Sequence, residues 1–202
     1  MKSYPSIPHI IKNGISIYAF NKIDGSNIRA EWNSSKGFLK FGTRTRLLGE
    51  DQGILNKSKD LILETHDKIS YICKHNRWKD ITLFYEFAGK KSSFGIHQED
   101  DVHQVYLIDA NPYKAGILNP KEFINCFSDV NIAECLYHGI CDSDFVNNVN
   151  SGNIKGMSEE GVVCKAKGKG NTITMFKIKR QSWYDRLKLH CNGDEELYNR
   201  MR

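Results

Sequence analysis

The chain has 202 residues, 40% of them hydrophobic and 26% charged, and a net charge of +5. That length can bury one good core plus a short appendage, and the composition is that of a soluble globular protein. No apolar run approaches the roughly 20 residues that span a bilayer, and the first residues lack the apolar stretch of a secretory signal. The expectation is therefore a cytoplasmic protein with no membrane partner. Six cysteines, at 73, 126, 135, 141, 164 and 191, are scattered without a C-x-x-C pair, which suits reduced thiols. Cys135, His138 and Cys141 can be read as three metal ligands, but the irregular spacing and the missing fourth partner favour buried thiols.

In chain order, residues 1–13 read as an irregular arm. Strand-like runs follow at 15–21, 27–32 and 37–43. Lys22 stands between the first two, just before Asp24-Gly25, and an Asp-Gly turn there would hold its ammonium at the rim of a sheet. Gly25, free of a Cβ, accepts the dihedrals that such a turn demands. Arg44 and Arg46 end the third run and share a side if the chain stays extended. Residues 51–76 carry Leu55, Ile62 and Ile69 at heptad spacing beside Leu61 and Ile72, the pattern of one amphipathic helix covering a sheet.

A central strand follows at 81–89, rich in β-branched and aromatic residues. Glu86 interrupts it, and an acid there must either pair with a core arginine or point into a polar pocket. A polar loop spans Lys90 to Asp101, and 103–109 is again a strand. Asn119-Pro120 has the form of an N-cap followed by proline at the first helical position, opening a short helix through Phe127. Residues 131–136 read as a strand. Asp142 or Ser143 caps a second short helix ending near Gly152. Two further strands occupy 159–167 and 172–179; alternation puts Glu160 with Val162 and Cys164 on one face, and Lys177 with Lys179 on another. Residues 181–202 form a helix or a tail, interrupted near Asn192-Gly193.

Charge is unevenly placed. From Lys155 to Lys188 there are nine Lys/Arg against three acids, a local +6, so the remainder sums to about −1. Such a segment can face phosphate or be plain solvated surface. No Gly-rich phosphate loop is present, because Gly89-Lys90-Lys91-Ser92 lacks the earlier glycine. What remains is an ordered set beside strands: Lys22, Arg44, Glu86, Glu160, Lys165, Lys177 and Lys179. A free lysine amine is a poor nucleophile near neutral pH, with a pKa of about 10.4, and becomes useful where neighbouring cations or desolvation favour its neutral form.

In this order the set resembles the covalent nucleotidyltransferase superfamily of polynucleotide ligases and mRNA capping enzymes. Lys22-Ile-Asp24-Gly25 is similar to its nucleophile motif and Arg44 falls where a sugar-contacting arginine is expected. Glu86 in Phe-Tyr-Glu86-Phe-Ala-Gly matches the third motif, and Tyr106 falls near the base-stacking aromatic. Glu160-Gly161-Val-Val-Cys-Lys165 matches the fourth motif and Lys177-Ile-Lys179 the fifth. Asn27, and the Phe-Ala-Gly after Glu86, resemble the nick-sealing RNA ligases, the second phage type and its RNA-editing relatives.

The resemblance implies an α+β fold, a nucleotidyltransferase (ATP-grasp-like ligase) domain of two antiparallel β-sheets flanked by helices, without an OB-fold. It implies an adenylation domain over 1–180 and a helical tail over 181–202. It implies ATP, with AMP carried covalently on Lys22, and Mg²⁺ or Mn²⁺ held by Glu160 and Asp24. Lys22, Asp24, Lys177 and Lys179 are the expected catalytic residues. Asn21, Ile23, Asn27, Arg44, Glu86, Tyr106, Glu160 and Lys165 are the expected nucleotide contacts. The implied substrate is RNA with 5′-phosphate and 3′-hydroxyl ends at a nicked duplex. Only about 22 residues follow Arg180, too few for an independent core, so a protein partner, or the basic segment at 165–188, is expected to supply the grip on RNA. The rivals are a minimal ATP-dependent DNA ligase, a GTP-dependent capping guanylyltransferase and a catalytically inactive nucleic-acid-binding module.

Overall fold

A computed structural model describes residues 2–49, 53–90, 101–170 and 172–201. The chain divides into two compact units interleaved in sequence. The first comprises residues 1–6, 23–133 and 167–174, and the second residues 7–22, 134–166 and 175–202.

The first unit is built on a four-stranded sheet of β2 (Ser26–Asn33), β3 (Gly37–Thr43), β4 (Asp80–Ala88) and β5 (Gln104–Pro112), in the order β3-β2-β4-β5. Its three strand pairings, β2–β3, β2–β4 and β4–β5, are antiparallel. One face is apolar by alternation: Ile28, Ala30 and Trp32 on β2, and Ile81, Leu83, Tyr85 and Phe87 on β4, are all at most 3% exposed. Helix α1 (Asn56–Leu63) lies against β5 and α2 (His66–His75) against β3. Ile62, Ile69 and Ile72 are the buried residues of these helices that the heptad pattern pointed to.

The pattern had suggested one continuous helix. Instead a 3₁₀ turn (Gly53–Leu55) precedes α1, and the chain breaks at Glu64-Thr65, where the Thr65 hydroxyl donates to the Ile62 carbonyl at 2.7 Å. A threonine that satisfies a helix-end carbonyl with its side chain competes with continuation of the backbone ladder. Helix α3 (Pro120–Cys126) begins as the sequence indicates, with the Asn119 side chain accepting from Glu122 N–H. The polar loop expected between 90 and 101 lies almost wholly outside the described residues, as do Lys91 and Ser92.

The second unit has the sheet order β6-β1-β7-β8, from β1 (Ser16–Asn21), β6 (Cys135–Ile140), β7 (Gly161–Lys167) and β8 (Ile173–Lys179). Ile17, Ala19, Val162, Cys164, Phe176 and Ile178 form its apolar face and cluster with Phe145 and Val149 of α4 (Ser143–Ser151). Asp142 proves to be the α4 cap, accepting from Phe145 N–H at 2.8 Å. Beyond Arg180 come α5 (Gln181–Cys191) and α6 (Glu195–Met201), parted at Asn192, whose φ of +44° ends α5. No helix among the described residues is long and apolar enough to cross a membrane.

Two local expectations change. The strand expected at 131–136 starts at Cys135; residues 131–133 instead dock beside β5, with Leu107 N–H donating to the Asn131 carbonyl and Ala133 N–H to that of Leu107. The Asp24-Gly25 step does not close a hairpin either, since β1 and β2 belong to different sheets. Gly25 is required there for space, not for an unusual dihedral. A Cβ on it would strike the Phe87 carbonyl and crowd the Glu86 side chain.

Replacing Gly25 by alanine should therefore destabilise the fold by about 1–3 kcal/mol, the scale of overpacking against backbone. Urea unfolding of Gly25→Ala measures this, and a change below about 0.5 kcal/mol would show that the segment yields freely.

Candidate active site

The expected site residues gather in two sets, one in each unit. In the second unit, β1 delivers Lys22 with Tyr18 and Phe20 on the face opposite Ile17 and Ala19. The end of β1 is fixed by the turn before β7. Ser158 N–H donates to the Asn21 side-chain oxygen (2.8 Å), the Asn21 amide donates to the Gly156 carbonyl (3.2 Å), and the Ser158 hydroxyl donates to the Lys22 carbonyl (2.6 Å). Lys22 N–H donates to the Gly161 carbonyl at 3.0 Å. Asn21 thus positions the strand end.

Glu160 is the centre of this set. Its carboxylate lies 2.7 Å from Lys22 Nζ through one oxygen and 3.0 Å from Lys179 Nζ through the other. Simple alternation puts Glu160 on the face of Val162 and Cys164, which proves to be the core face. However, β7 starts at Gly161, and Gly161 has φ +119°. That left-handed turn, which a Cβ would block by meeting the Ile178 carbonyl, releases Glu160 from the strand's alternation. Its carboxylate can then reach the lysines.

The Glu160 and Lys179 side chains are 7% and 3% exposed, against 21% for Lys22. The Lys179 ammonium also sits 3.3 Å from the centroid of the Trp183 ring. Burial lowers the Lys179 pKa to about 8; Glu160 opposes that shift, and the like charges of Lys22 and Lys177 add to it. The expected neighbours of Lys22 were cations alone, and the structure adds an anion between them.

Lys165 pairs in register with Tyr18 on the same face, and its buried ammonium lies 4.5 Å from the Phe20 ring centroid. Lys177 keeps the face of Lys179 by alternation, while its backbone N–H donates to the Pro8 carbonyl.

In the first unit, the polar face of the sheet is ordered in rungs. Asn27, Glu86 and Tyr106 are directly opposite one another on β2, β4 and β5. The next rung is Arg29, Phe84 and Asp109. Asp109 belongs there because β5 bulges between Leu107 and Asp109, so that one extra residue returns it to the face of Tyr106. Glu86 is half-buried in this polar row rather than enclosed in the core. Arg44 does not extend β3: Thr43 N–H donates to the Arg46 carbonyl, and the turn leaves both arginines exposed. Ile23 and Asp24, both half-buried, begin this unit.

Sequence reasoning missed what covers this face. Tyr4, read as part of an irregular arm, is 5% exposed and its hydroxyl donates to the Asp109 carboxylate. Its ring lies 5.0 Å from that of Phe84, and Arg29 donates to the Ser3 hydroxyl at 3.0 Å. The signal was available: Arg29 and Asp109 interrupt apolar strands just as Glu86 does.

For the implied metal, no group of three or more His, Cys, Asp or Glu able to hold an ion exists among the described residues. The alternative reading of Cys135, His138 and Cys141 as such a group falls with it; Cys141 is fully buried and His138 stacks on Tyr18 at 3.9 Å. Mg²⁺ commonly takes one or two carboxylates, with phosphates and water completing its shell. The hard oxygens of Glu160 fit that kind of site.

The chain has an α+β architecture of two antiparallel four-stranded sheets with flanking helices. No family model matches the chain, and no curated protein matches it. Solved structures of Naegleria gruberi RNA ligase do. A mutant of that enzyme with ATP and Mn gives a TM-score of 0.61, the enzyme with PPi 0.60, and another mutant with AMP and Mn 0.60. Each is 17% identical over 86% of this chain and 52% of its own. The chain thus spans about half the length of those ligases, and at this identity the likeness is one of fold.

Removing the shared carboxylate strands two cations. Glu160→Gln should cost about 3 kcal/mol in urea unfolding, and Lys179→Met in the same chain should recover much of it. An unaltered midpoint for Glu160→Gln would contradict the shared pairing. Lys179 gives a pH dependence as well. The unfolded chain keeps its proton up to about 10.5 and the folded chain only to about 8. Stability should therefore rise with pH across that window, and Lys179→Met should remove the rise.

Proposed function

We propose that the chain is an ATP-dependent RNA ligase adenylyltransferase of the nick-sealing type. The observation that carries this reading is the Lys22–Glu160–Lys179 cluster at the end of β1. It puts an amine at a strand end beside a second, buried lysine and one dividing carboxylate, within the fold that RNA ligases use.

In the first step, triphosphate oxygens draw the charge of Lys179 and Lys177, and Glu160 releases Lys22. The Lys22 ammonium gives one proton to solvent, the free amine forms a P–N bond to the α-phosphorus as the P–O bond to pyrophosphate breaks, pyrophosphate leaves with the electron pair, and the bonded nitrogen sheds a second proton to solvent. A divalent ion, when bound near Glu160, supplies further neutralisation of the departing pyrophosphate. The row of Asn27, Glu86 and Tyr106, with Arg44, is assigned to the nucleoside. In the second step an oxygen of an RNA 5′-phosphate takes the AMP, breaking the P–N bond and returning a proton to Lys22. In the third, a 3′-hydroxyl attacks that 5′-phosphorus and AMP departs. Asp24 is assigned to the strand end in these later steps.

Incubation with α-labelled ATP and Mg²⁺ or Mn²⁺ tests the first step. Label should survive alkali and be released by hot acid, as a P–N bond requires, be absent from Lys22→Ala, and be greatly reduced in Lys179→Ala. No label from ATP, or label that persists in Lys22→Ala, would reject the reading. Label from GTP in preference to ATP would point to a capping guanylyltransferase. Nicked duplexes with RNA or DNA on the 3′-hydroxyl side then separate RNA from DNA sealing.

A further inference from the structure

The N-terminal arm crosses the polar face of the first sheet one rung away from Asn27, Glu86 and Tyr106. Three contacts fix it there. The Tyr4 hydroxyl donates to the Asp109 carboxylate, itself 1% exposed. Arg29, 6% exposed, donates to the Ser3 hydroxyl, and that hydroxyl donates to the Arg44 carbonyl at 3.3 Å. The arm therefore links the turn that carries Arg44 to the bulged part of β5 that carries Asp109.

A buried carboxylate demands a donor, and Tyr4 supplies one. A β-bulge is spent on bringing Asp109 to this face at all. Anchoring a terminus to a sheet does not call for a desolvated acid, a buried arginine and a bulge together; apolar packing would do it. The phenol of Tyr4 also responds to what lies around it. Burial raises its pKa well above the usual value, Asp109 and then Glu86 push it further up, and Arg44 pulls it down. Tyr4, Glu86 and Arg44 thus share one electrostatic neighbourhood.

We propose that Tyr4 is a positioning residue for the nucleoside: clasped to Asp109, the Ser3-Tyr4 segment holds Arg44 and Glu86 where a ribose can meet them. This rests on the ATP reading above and adds the arm to it. The consequence is specific to nucleotide affinity. Without the clasp the Arg44 turn keeps its bonds to β3 but loses its tie to the arm and through it to β5, and binding must then order it.

Three variants test this. Tyr4→Phe keeps the ring on Phe84 and removes only the hydroxyl. Asp109→Asn removes the charge it serves. Ser3→Ala, at an exposed position, breaks the link to Arg29 and Arg44 with little risk to folding. Each should raise the KM for ATP in lysyl-AMP formation by about tenfold, the scale of one hydrogen bond to a charged group. The rate at saturating ATP should change less than about twofold, and Tyr4→Phe with Asp109→Asn should be no worse than either alone.

An unchanged KM in both Tyr4→Phe and Ser3→Ala would overturn the proposal. So would a loss of maximal rate at constant KM. Equilibrium binding of ATP to the wild type and to both variants keeps the two ideas apart. Tenfold weaker binding in the variants, in a protein that never labels, would sustain the clasp and reject the ligase. Equal binding in all three would reject the clasp whatever the chemistry.

Discussion

One carboxylate, Glu160, serves two lysines in a place with little water. Ion pairs in such surroundings contribute little net stability compared with apolar packing, yet breaking one leaves an uncompensated charge. The local structure is arranged to avoid that. Gly161 turns the chain so that Glu160 leaves the strand's alternation, and Ser158 with Asn21 fastens the end of β1 so that Lys22 meets the carboxylate. Trp183 then covers Lys179 with a ring face, which tolerates a cation where a hydrocarbon wall would not. On the proposed reading, a triphosphate exchanges places with Glu160 as counter-charge, and the same carboxylate that stabilises the nucleotide-free protein holds the nucleophile in check until substrate arrives.

Both sheets follow one physical plan. Each has an apolar face closed by helices and a second face that carries polar and charged groups. Strand alternation sorts Lys22, Lys177 and Lys179 from Ile17, Ala19, Phe176 and Ile178 in one unit, and Asn27, Arg29 and Glu86 from Ile28, Ala30 and Tyr85 in the other. Bulges and left-handed glycines then adjust single residues: Asp109 is brought onto its face by a bulge, and Glu160 is freed from its face by Gly161. These adjustments sit at the residues with the chemistry, where departures from regular structure concentrate.

This division explains what was legible in the sequence. The strand-like runs at β1 to β5 were legible in their period-2 pattern, the two-sheet α+β architecture came from the resemblance alone, and the strand at 37–43 matches to the residue. Both short helices announced their caps, Asn119 and Asp142, because a capping side chain acts locally. Lys22, Glu160 and Lys179 were singled out as candidates, and the structure brings them together; Asn27, Glu86 and Tyr106 likewise form one rung. What alternation alone missed were the exceptions to it. Glu160 seemed to share a face with Val162 and Cys164, Arg44 seemed to extend a strand, and Asp24-Gly25 seemed to close a hairpin. The partition of strands between sheets is a long-range matter that no local pattern encodes. Arg29 and Asp109 signalled that something polar covers this face, but not that it is Tyr4, which lies 105 residues from Asp109.

The most direct test of the account is a crystal structure of the protein with ATP and Mn²⁺. The account predicts that Lys22 Nζ has left Glu160 and faces the α-phosphorus, or is already bonded to it, with Lys179 against phosphate oxygens. A nucleotide bound elsewhere, with Lys22 still paired to Glu160, would contradict it.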